Sequence, residues 1–228
     1  MIIKGDGFNH FFTWNKSKLL EQLYLKRVRL ESPEMDSCKQ AAEILSKELI
    51  PNETVLDVGC GSGYFFHSIY KKFPKISYYG IDANKRFVDI GNRELKKFGV
   101  RNRLHHMKIE DFRGKFDHIV CLNFLSNLDN FHRYLERLLL ASNKTLIMRE
   151  SISIKSKYKF VKDNYLDTKH SLSVFVNTYS AKELSKFIKS YGFSFKLIED
   201  NRTKNKMEKV IDHPHYWKFV FSKRKKHD

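Results

Sequence analysis

Cysteine is scarce in this chain, and acidic residues are in the minority. Three cysteines, Cys38, Cys60 and Cys121, occur in 228 residues, and no two form a C-x-x-C pair. A disulfide framework and a thiolate zinc cluster are therefore excluded as organising elements, and a reduced, cytoplasmic setting fits best. No uninterrupted apolar run is long enough to span a bilayer, and the N-terminus carries no signal-peptide pattern. Internal repeats and low-complexity tracts are absent too, with only four prolines and ten glycines in the chain. Asp and Glu number 26 against 43 Lys and Arg, which gives a formal net charge of +17. That balance favours acidic or phosphorylated partners over cationic ones. However, the positive residues are scattered, and their densest run, Lys223-Arg224-Lys225-Lys226, lies at a chain terminus. A solvated lysine-rich surface competes with a nucleic-acid footprint as its explanation.

What is present suits a globular protein. Hydrophobic residues make up 41%, and a chain of this length buries about 70% of its unfolded surface as one domain. Strand-like and helix-like segments alternate from residue 54 onward. Strands are expected at Thr54–Val58, Ser77–Asp82, Arg103–Ile109, Phe116–Leu122 and Lys144–Met148. Helices are expected at Asp36–Leu49, Tyr64–Phe73, Lys85–Phe98 and Leu128–Leu140. Such alternation implies a parallel sheet with right-handed crossovers. Residues 151–179 show weak periodicity and read as an insertion over the sheet's C-terminal edge. A helix then runs over Ala181–Tyr191, with Ser180 as its cap and Glu183 at the capping-box position. Two final strands, Phe193–Ile198 and Tyr216–Phe221, flank a charged loop at 199–213. Upstream, residues 8–31 are rich in aromatic and apolar side chains, and from Lys16 on they read as an amphipathic helix over the site.

The run Asp57-Val58-Gly59-Cys60-Gly61-Ser62-Gly63 joins the first strand to its helix. Glycine at every second position lets backbone approach a ligand closely and accommodates positive φ. The helix start beyond it would offer unpaired N–H groups to a polar or anionic ligand, and a nucleotide-like cofactor is the natural occupant. The spacing departs from the dinucleotide fingerprint G-x-G-x-x-G, whose third glycine would fall at Tyr64. A second strand, Ser77-Tyr78-Tyr79-Gly80-Ile81-Asp82, ends in a carboxylate able to accept hydrogen bonds from both hydroxyls of a ribose.

These two motifs together resemble those of the class I S-adenosylmethionine-dependent methyltransferases. The resemblance spans residues 35–222 and is specific at the two motifs. It implies a Rossmann-like α/β fold with a seven-stranded, mostly parallel sheet, an antiparallel last strand and helices on both faces. The domain would cover 35–228, with a helical cap at 1–34 and the 151–179 insertion as a substrate cap. The implied cofactor is S-adenosylmethionine, with S-adenosylhomocysteine as product. Its contacts would come from Asp57, Gly59, Cys60, Gly61, Gly63, Asp82 and Ala83. Asp57 also has a structural reading, in which its carboxylate holds the loop's N–H groups. Near the adenine, Glu110 and Asp111 compete for one role, and Ile109 or Phe112 packs on the ring. Asn123, after the fourth strand, contacts cofactor or substrate, or caps a turn. The chain reads Asn123-Phe124-Leu125-Ser126 where base-amino methylases carry two prolines, so that chemistry gains no support.

Ligands of open α/β sheets sit at the strands' carboxyl ends. That rule brings Arg149 and Glu150 to the crevice as candidate grips on an acidic or sugar substrate, with Tyr165 and Asn177 from the insertion. His170, which titrates near neutrality, and Tyr179 are the candidates for a base or its orienter. Salt bridges and solvation are the competing readings for these polar residues. No metal site is expected: His213 and His215 lack a third ligand, and His105 and His106 point to opposite faces of a strand. The expected acceptor is an oxygen of a small molecule or sugar, enclosed by the N-terminal helix and the insertion. RNA methylation is the rival on charge, and non-catalytic cofactor binding is the rival of another class. The oligomeric state is left open.

Overall fold

The computed structural model describes Trp14, residues 17–163 and residues 172–225. Its helices are α1 (Lys18–Val28), α2 (Asp36–Ser46), α3 (Phe65–Lys72), α4 (Lys85–Glu94), α5 (His132–Ala141) and α6 (Ala181–Ser190). The strands are β1 (Thr54–Val58), β2 (Ser77–Asp82), β3 (Leu104–His106), β4 (Phe116–Leu122), β5 (Ser142–Ser153) and β6 (Phe160–Asp163). They continue as β7 (Leu172–Phe175), β8 (Tyr179–Ser180), β9 (Lys196–Glu199), β10 (Glu208–Val210), β11 (His213–His215) and β12 (Trp217–Lys223).

The central sheet has the order β3-β2-β1-β4-β5-β12-β9, with β8 paired to the end of β5. Pairings from β3 through β5 are parallel, while β12 runs antiparallel to both of its neighbours. This is the Rossmann-like methyltransferase fold, here with one short strand added to the seven. Side chains alternate across the sheet. Leu56, Val58, Ile119, Cys121, Leu146 and Met148 pack on one face with α5 and α6. Val55, Val120, Ile147 and Phe219 pack on the other with α2, α3 and α4. Burial on both faces explains why β4 reads as a continuous apolar run. The register pairs Val58 with both Ile81 and Cys121, so β1, β2 and β4 end level at one edge.

Several boundaries depart from expectation. β5 continues to Ser153 instead of ending at Met148, because Arg149, Glu150 and Ser151 are buried and bond inside the protein to Asn123 and Asp200, to the 124–126 amides and to Thr178. The 151–179 segment therefore begins as sheet and then forms the antiparallel hairpin β6–β7. β3 is only three residues long. α5 starts at His132, since Leu125–Asn127 form a 3-10 turn. α4 stops at Glu94 and tightens into a 3-10 turn that Gly99 closes at φ +83. The 199–213 loop contains β10 and the start of the β10–β11 hairpin. His215 lies buried in that hairpin, stacked on Trp217, and burial pushes its pKa down to about 4. No cluster able to hold a metal ion occurs among the described residues. No described helix is long and apolar enough to cross a membrane.

Gly91 shows how closely α4 lies on the glycine loop. A Cβ there would stand 2.5 Å from the Ser62 carbonyl oxygen and against Leu104. Gly91→Ala gains about 1 kcal/mol of helix propensity. Overpacking against backbone costs about 1–3 kcal/mol. A net loss of about 0–2 kcal/mol is expected in urea unfolding; a stabilised variant would mean that α4 is free to back away from the loop.

Candidate functional site

The level ends of β1, β2 and β4 open onto a cavity of about 360 Å³. Its floor is Val58, Gly59, Ile81 and Asp82, and one side is built from Met107 to Glu110 after β3. The opposite side is the turn after β4, through Asn123, Phe124, Asn127 and Leu128, with Tyr134 behind it. α1 and α4 close it with Leu20, Leu23, Tyr24, Arg27 and Phe87.

Gly59, Gly61 and Gly63 all have positive φ, +71, +56 and +72, so an L side chain at any of them is strained. Their bare faces are largely filled by the protein itself. A Cβ on Gly59 would strike the Phe124 ring, one on Gly61 the Tyr24 ring, and one on Gly63 Leu104 and Leu95. Of the three, only Gly59 lines the cavity. The loop's N–H groups are also largely used internally. Gly59 and Cys60 donate to the Ile81 carbonyl at 2.9 and 3.1 Å, and Gly63 donates to that of Cys60. Gly61 donates to Asp82 Oδ2 at 2.8 Å. The expected cradle of free amides is therefore corrected: Asp82 ties the loop to β2.

Asp82 takes a second N–H, from Asn84, on Oδ1 at 2.7 Å. It is half-buried and lines the cavity, and burial raises its pKa above the usual carboxylate value. Beside it, Asn84 caps α4 with its Oδ1, while its buried Nδ2 has no partner among the described residues. Asp57 does not hold the loop amides. It is buried beneath the loop and accepts from the Tyr78 hydroxyl at 2.7 Å, and burial pushes its pKa up to about 7. Cys60 likewise points away from the cavity, against Gly80 of β2.

After β3 the two competing carboxylates separate: Glu110 lines the cavity, and Asp111 is solvent-exposed outside it. Ile109 is on the wall, whereas Phe112 packs against Phe116. Ala83 and Asn123 also line the cavity.

Arg149, Glu150, Asn177 and Tyr179 were expected to face a substrate, and all four instead hold the turn at 123–128. Glu150 is wholly buried and accepts N–H bonds from Phe124, Leu125 and Ser126 at 2.8–2.9 Å. Burial pushes its pKa up to about 7 against the pull of those donors. Arg149 donates to Asn123 Oδ1 and, at 2.6 Å, to Asp200. Asn177 donates from Nδ2 to the Leu128 carbonyl at 2.6 Å, and its backbone N–H donates to that of Ser126 at 2.9 Å. The Tyr179 hydroxyl donates to the Leu125 carbonyl from a fully buried position, and burial raises its pKa well above the phenol value. Glu150, Asn177 and Tyr179 spend their polar groups on the turn, and Arg149 keeps one buried guanidinium nitrogen, Nη2, without a partner among the described residues. His170 and Tyr165 lie outside the described residues.

The helix expected over the site is there as α1, but the sequence reading singled out neither Tyr24 nor Arg27 on its inner face. Leu20, Leu23, Tyr24 and Arg27 follow helical i, i+3, i+4, i+7 spacing, and all four face the cavity. The Tyr24 ring stacks on Phe87 with centroids 4.2 Å apart, and its carbonyl accepts from the Ser62 hydroxyl at 2.9 Å. The spacing was readable, but the polar faces of Tyr24 and Arg27 hid it among apolar neighbours.

Comparison with known proteins agrees with this geometry. Residues 56–142 match the family model described as a methyltransferase domain. A protein of Methanocaldococcus jannaschii is 24% identical over 74% of this chain and 47% of its own length. The ribosomal RNA small subunit methyltransferase H of Fusobacterium nucleatum is 25% identical over 71% of this chain and 52% of its own. The chain thus spans about half the length of these two relatives. Among solved structures, magnesium protoporphyrin IX methyltransferase from Synechocystis, with bound SAM, has a TM-score of 0.59 at 14% identity. That match covers 99% of this chain and 100% of the other, and shows a shared fold.

The bracing role of Glu150 has a measurable cost. In Glu150→Gln, one amide oxygen can still serve Phe124 and Leu125, but the NH₂ group then faces the Ser126 N–H. One buried donor is left unpaired, which costs about 1–3 kcal/mol in chemical unfolding. Unchanged stability would mean that Glu150 does not hold this turn.

Proposed function

We propose that this chain, a member of the class I S-adenosylmethionine-dependent methyltransferases by its matched domain and its fold, is an S-adenosylmethionine-dependent methyltransferase. Asp82 is the observation that carries the reading: a half-buried carboxylate lining the cavity, fixed by the Gly61 and Asn84 amides. Its remaining lone pairs suit the two hydroxyls of a ribose. The unpartnered Asn84 Nδ2 beside it supports a ligand oxygen at the same place. Ile109 and Ala83 would pack on the adenine, with Glu110 toward its amino group. Gly59 and Asn123 would flank the aminoacyl end. When bound, S-adenosylmethionine supplies a methyl group already activated on a sulfonium.

The chain's task is then to bring one nucleophile in line and to exclude water. An oxygen of a small molecule or sugar is the acceptor favoured here. The enclosure of the cavity by α1, α4 and the turn after β4 supports it, since a small acceptor can be surrounded. The β6–β7 hairpin adds to this cover, because Val174 packs with Leu20 and Phe87. His170, in the connection between those strands, is proposed as the base that takes the acceptor's proton. His170→Ala should lower kcat by about 10²-fold or more without changing cofactor affinity. Wild-type turnover in that variant would remove His170 from the reaction. The net charge of +17 favours RNA as the second reading; binding that weakens steeply with added salt would identify it.

Titration calorimetry with S-adenosylmethionine, S-adenosylhomocysteine and NAD tests the cofactor. The two adenosyl ligands should bind and NAD should not; tighter binding of NAD would overturn the assignment. Asp82→Ala should weaken S-adenosylhomocysteine by about 1.5–3 kcal/mol, the scale of hydrogen bonds to a charged group.

A further inference from the structure

The chain leaving β5 reads Ile154-Lys155-Ser156-Lys157-Tyr158-Lys159-Phe160-Val161-Lys162. Ile154 is 91% exposed, Tyr158 46% and Phe160 49%. Elsewhere among the described residues, large apolar side chains left in solvent stand singly along the sequence, which is ordinary for a protein surface. Here three fall in one stretch, interleaved with the exposed lysines Lys155, Lys157, Lys159 and Lys162. Among the described residues, no carboxylate lies within ion-pair distance of any of these lysines. The acids of this region are turned elsewhere: Asp163 is buried, and Glu183 accepts from the Ser156 hydroxyl.

The backbone here is held on both sides, so the exposure is built in. Lys157 exchanges two backbone hydrogen bonds with Thr178, at 2.7 and 2.9 Å. The Lys159 N–H donates to Asn177 Oδ1 at 2.8 Å, and its carbonyl accepts from Val176 at 2.9 Å. β6 then pairs with β7, with Phe160 opposite Phe175 and Val161 opposite Val174. Paired residues share a face of an antiparallel ladder, and successive residues alternate faces. Val161 and Val174 take the inner face, against Leu20 and Phe87 of the cavity cover. Phe160 and Lys162 are thereby left on the outer one, with the Phe160 and Phe175 ring centroids 4.6 Å apart. Because β5 runs parallel to β4, Ile154 follows it beyond the sheet edge that carries the cavity.

We propose that the 154–162 segment docks the protein on an anionic lipid surface, with Ile154, Tyr158 and Phe160 at the acyl boundary and the lysines on the headgroups. The inference goes beyond the methyltransferase reading and does not require it. Lysines beside such a surface are attracted by its negative potential, and the apolar side chains add area removed from water. Tyrosine suits the boundary because its ring is apolar and its hydroxyl polar. Nucleic acid would also attract the lysines, but a stacking platform for bases is built from flat rings. The side chain of Ile154, the most exposed of the three, offers a base no π-face and a phosphate no donor. An acyl boundary takes all three side chains alike. Docked in this way, the edge that bears the cavity faces the lipid.

Co-sedimentation of the full chain with vesicles tests the proposal, using phosphatidylcholine alone and phosphatidylcholine mixed with phosphatidylglycerol. The wild type should bind the mixed vesicles at least about 10-fold more tightly than the neutral ones. Ile154→Ser with Phe160→Ser should weaken binding to mixed vesicles at least about 10-fold, and so should Lys155→Gln, Lys157→Gln and Lys159→Gln together. Lys47, Lys75 and Lys96 are exposed and precede β1, β2 and β3, at the opposite edge of the sheet. Replacing these three by Gln removes the same charge and should change binding less than about twofold, since screening limits distant charges. Should the apolar double variant fail to fold, Ile154→Ser alone carries the same test. Wild-type binding by the apolar variant, an equal loss in the opposite-edge variant, or no binding of the wild type to mixed vesicles overturns lipid docking. A single-stranded oligouridylate that the wild type binds and both segment variants lose, with vesicle binding absent, would make the surface a nucleic-acid site instead.

Discussion

Three backbone N–H groups, those of Phe124, Leu125 and Ser126, converge on the buried carboxylate of Glu150, and one wall of the cavity depends on that convergence. A turn leaving a strand in a sheet's interior has amides that water cannot reach, and each must find a partner. Glu150 satisfies three at once from the neighbouring strand. Arg149, adjacent on β5, fixes the residue that starts the turn, Asn123, whose φ of +53 few side chains but Asn tolerate. Asn177 and Tyr179 serve the turn's carbonyls from the other side. The turn is therefore rigid because its polar groups are answered individually, and Phe124 then rests against Gly59 as a consequence.

Asp82 plays the matching part on the opposite side. It connects the end of β2 to the loop after β1, across a sheet position where both strands stop. A carboxylate placed there serves the fold and leaves lone pairs for a ligand. The glycine loop is thus held by protein contacts from above and below: Tyr24 on one face, Asp82 and the Ile81 carbonyl on the other. Its positive φ values are needed to make those contacts.

The central sheet was legible because burial on both faces leaves unbroken apolar strands, and the loop Gly59–Gly63 with Asp82 marked the edge where ligands gather. Glu110 and Asp111 could not be separated, since one residue of slip exchanges inside for outside in a short 3-10 turn. Arg149 and Glu150 were placed at the correct edge but given the wrong neighbours. In sequence, a charged pair after an apolar strand looks like a rim. In the fold, β5 runs on and buries both residues, because a turn 24–26 positions earlier in the chain needs them. Nothing local in the sequence announces that demand.

The same reasoning explains why α1 belongs to the site although no motif includes it. A sheet edge with a glycine loop is open on the side away from the sheet, and neither strands nor the loop can cover it. Leu20, Leu23 and Tyr24 supply that cover in one helical stripe, and Phe87 of α4 meets it. The stripe's fourth member, Arg27, stands 5.6 Å from the Tyr24 ring centre and 5.3 Å from that of Tyr64, so its charge stays at the cavity wall against aromatic faces. One helix thus closes the open side of the edge, and the Ser62–Tyr24 hydrogen bond ties that cover to the glycine loop beneath it.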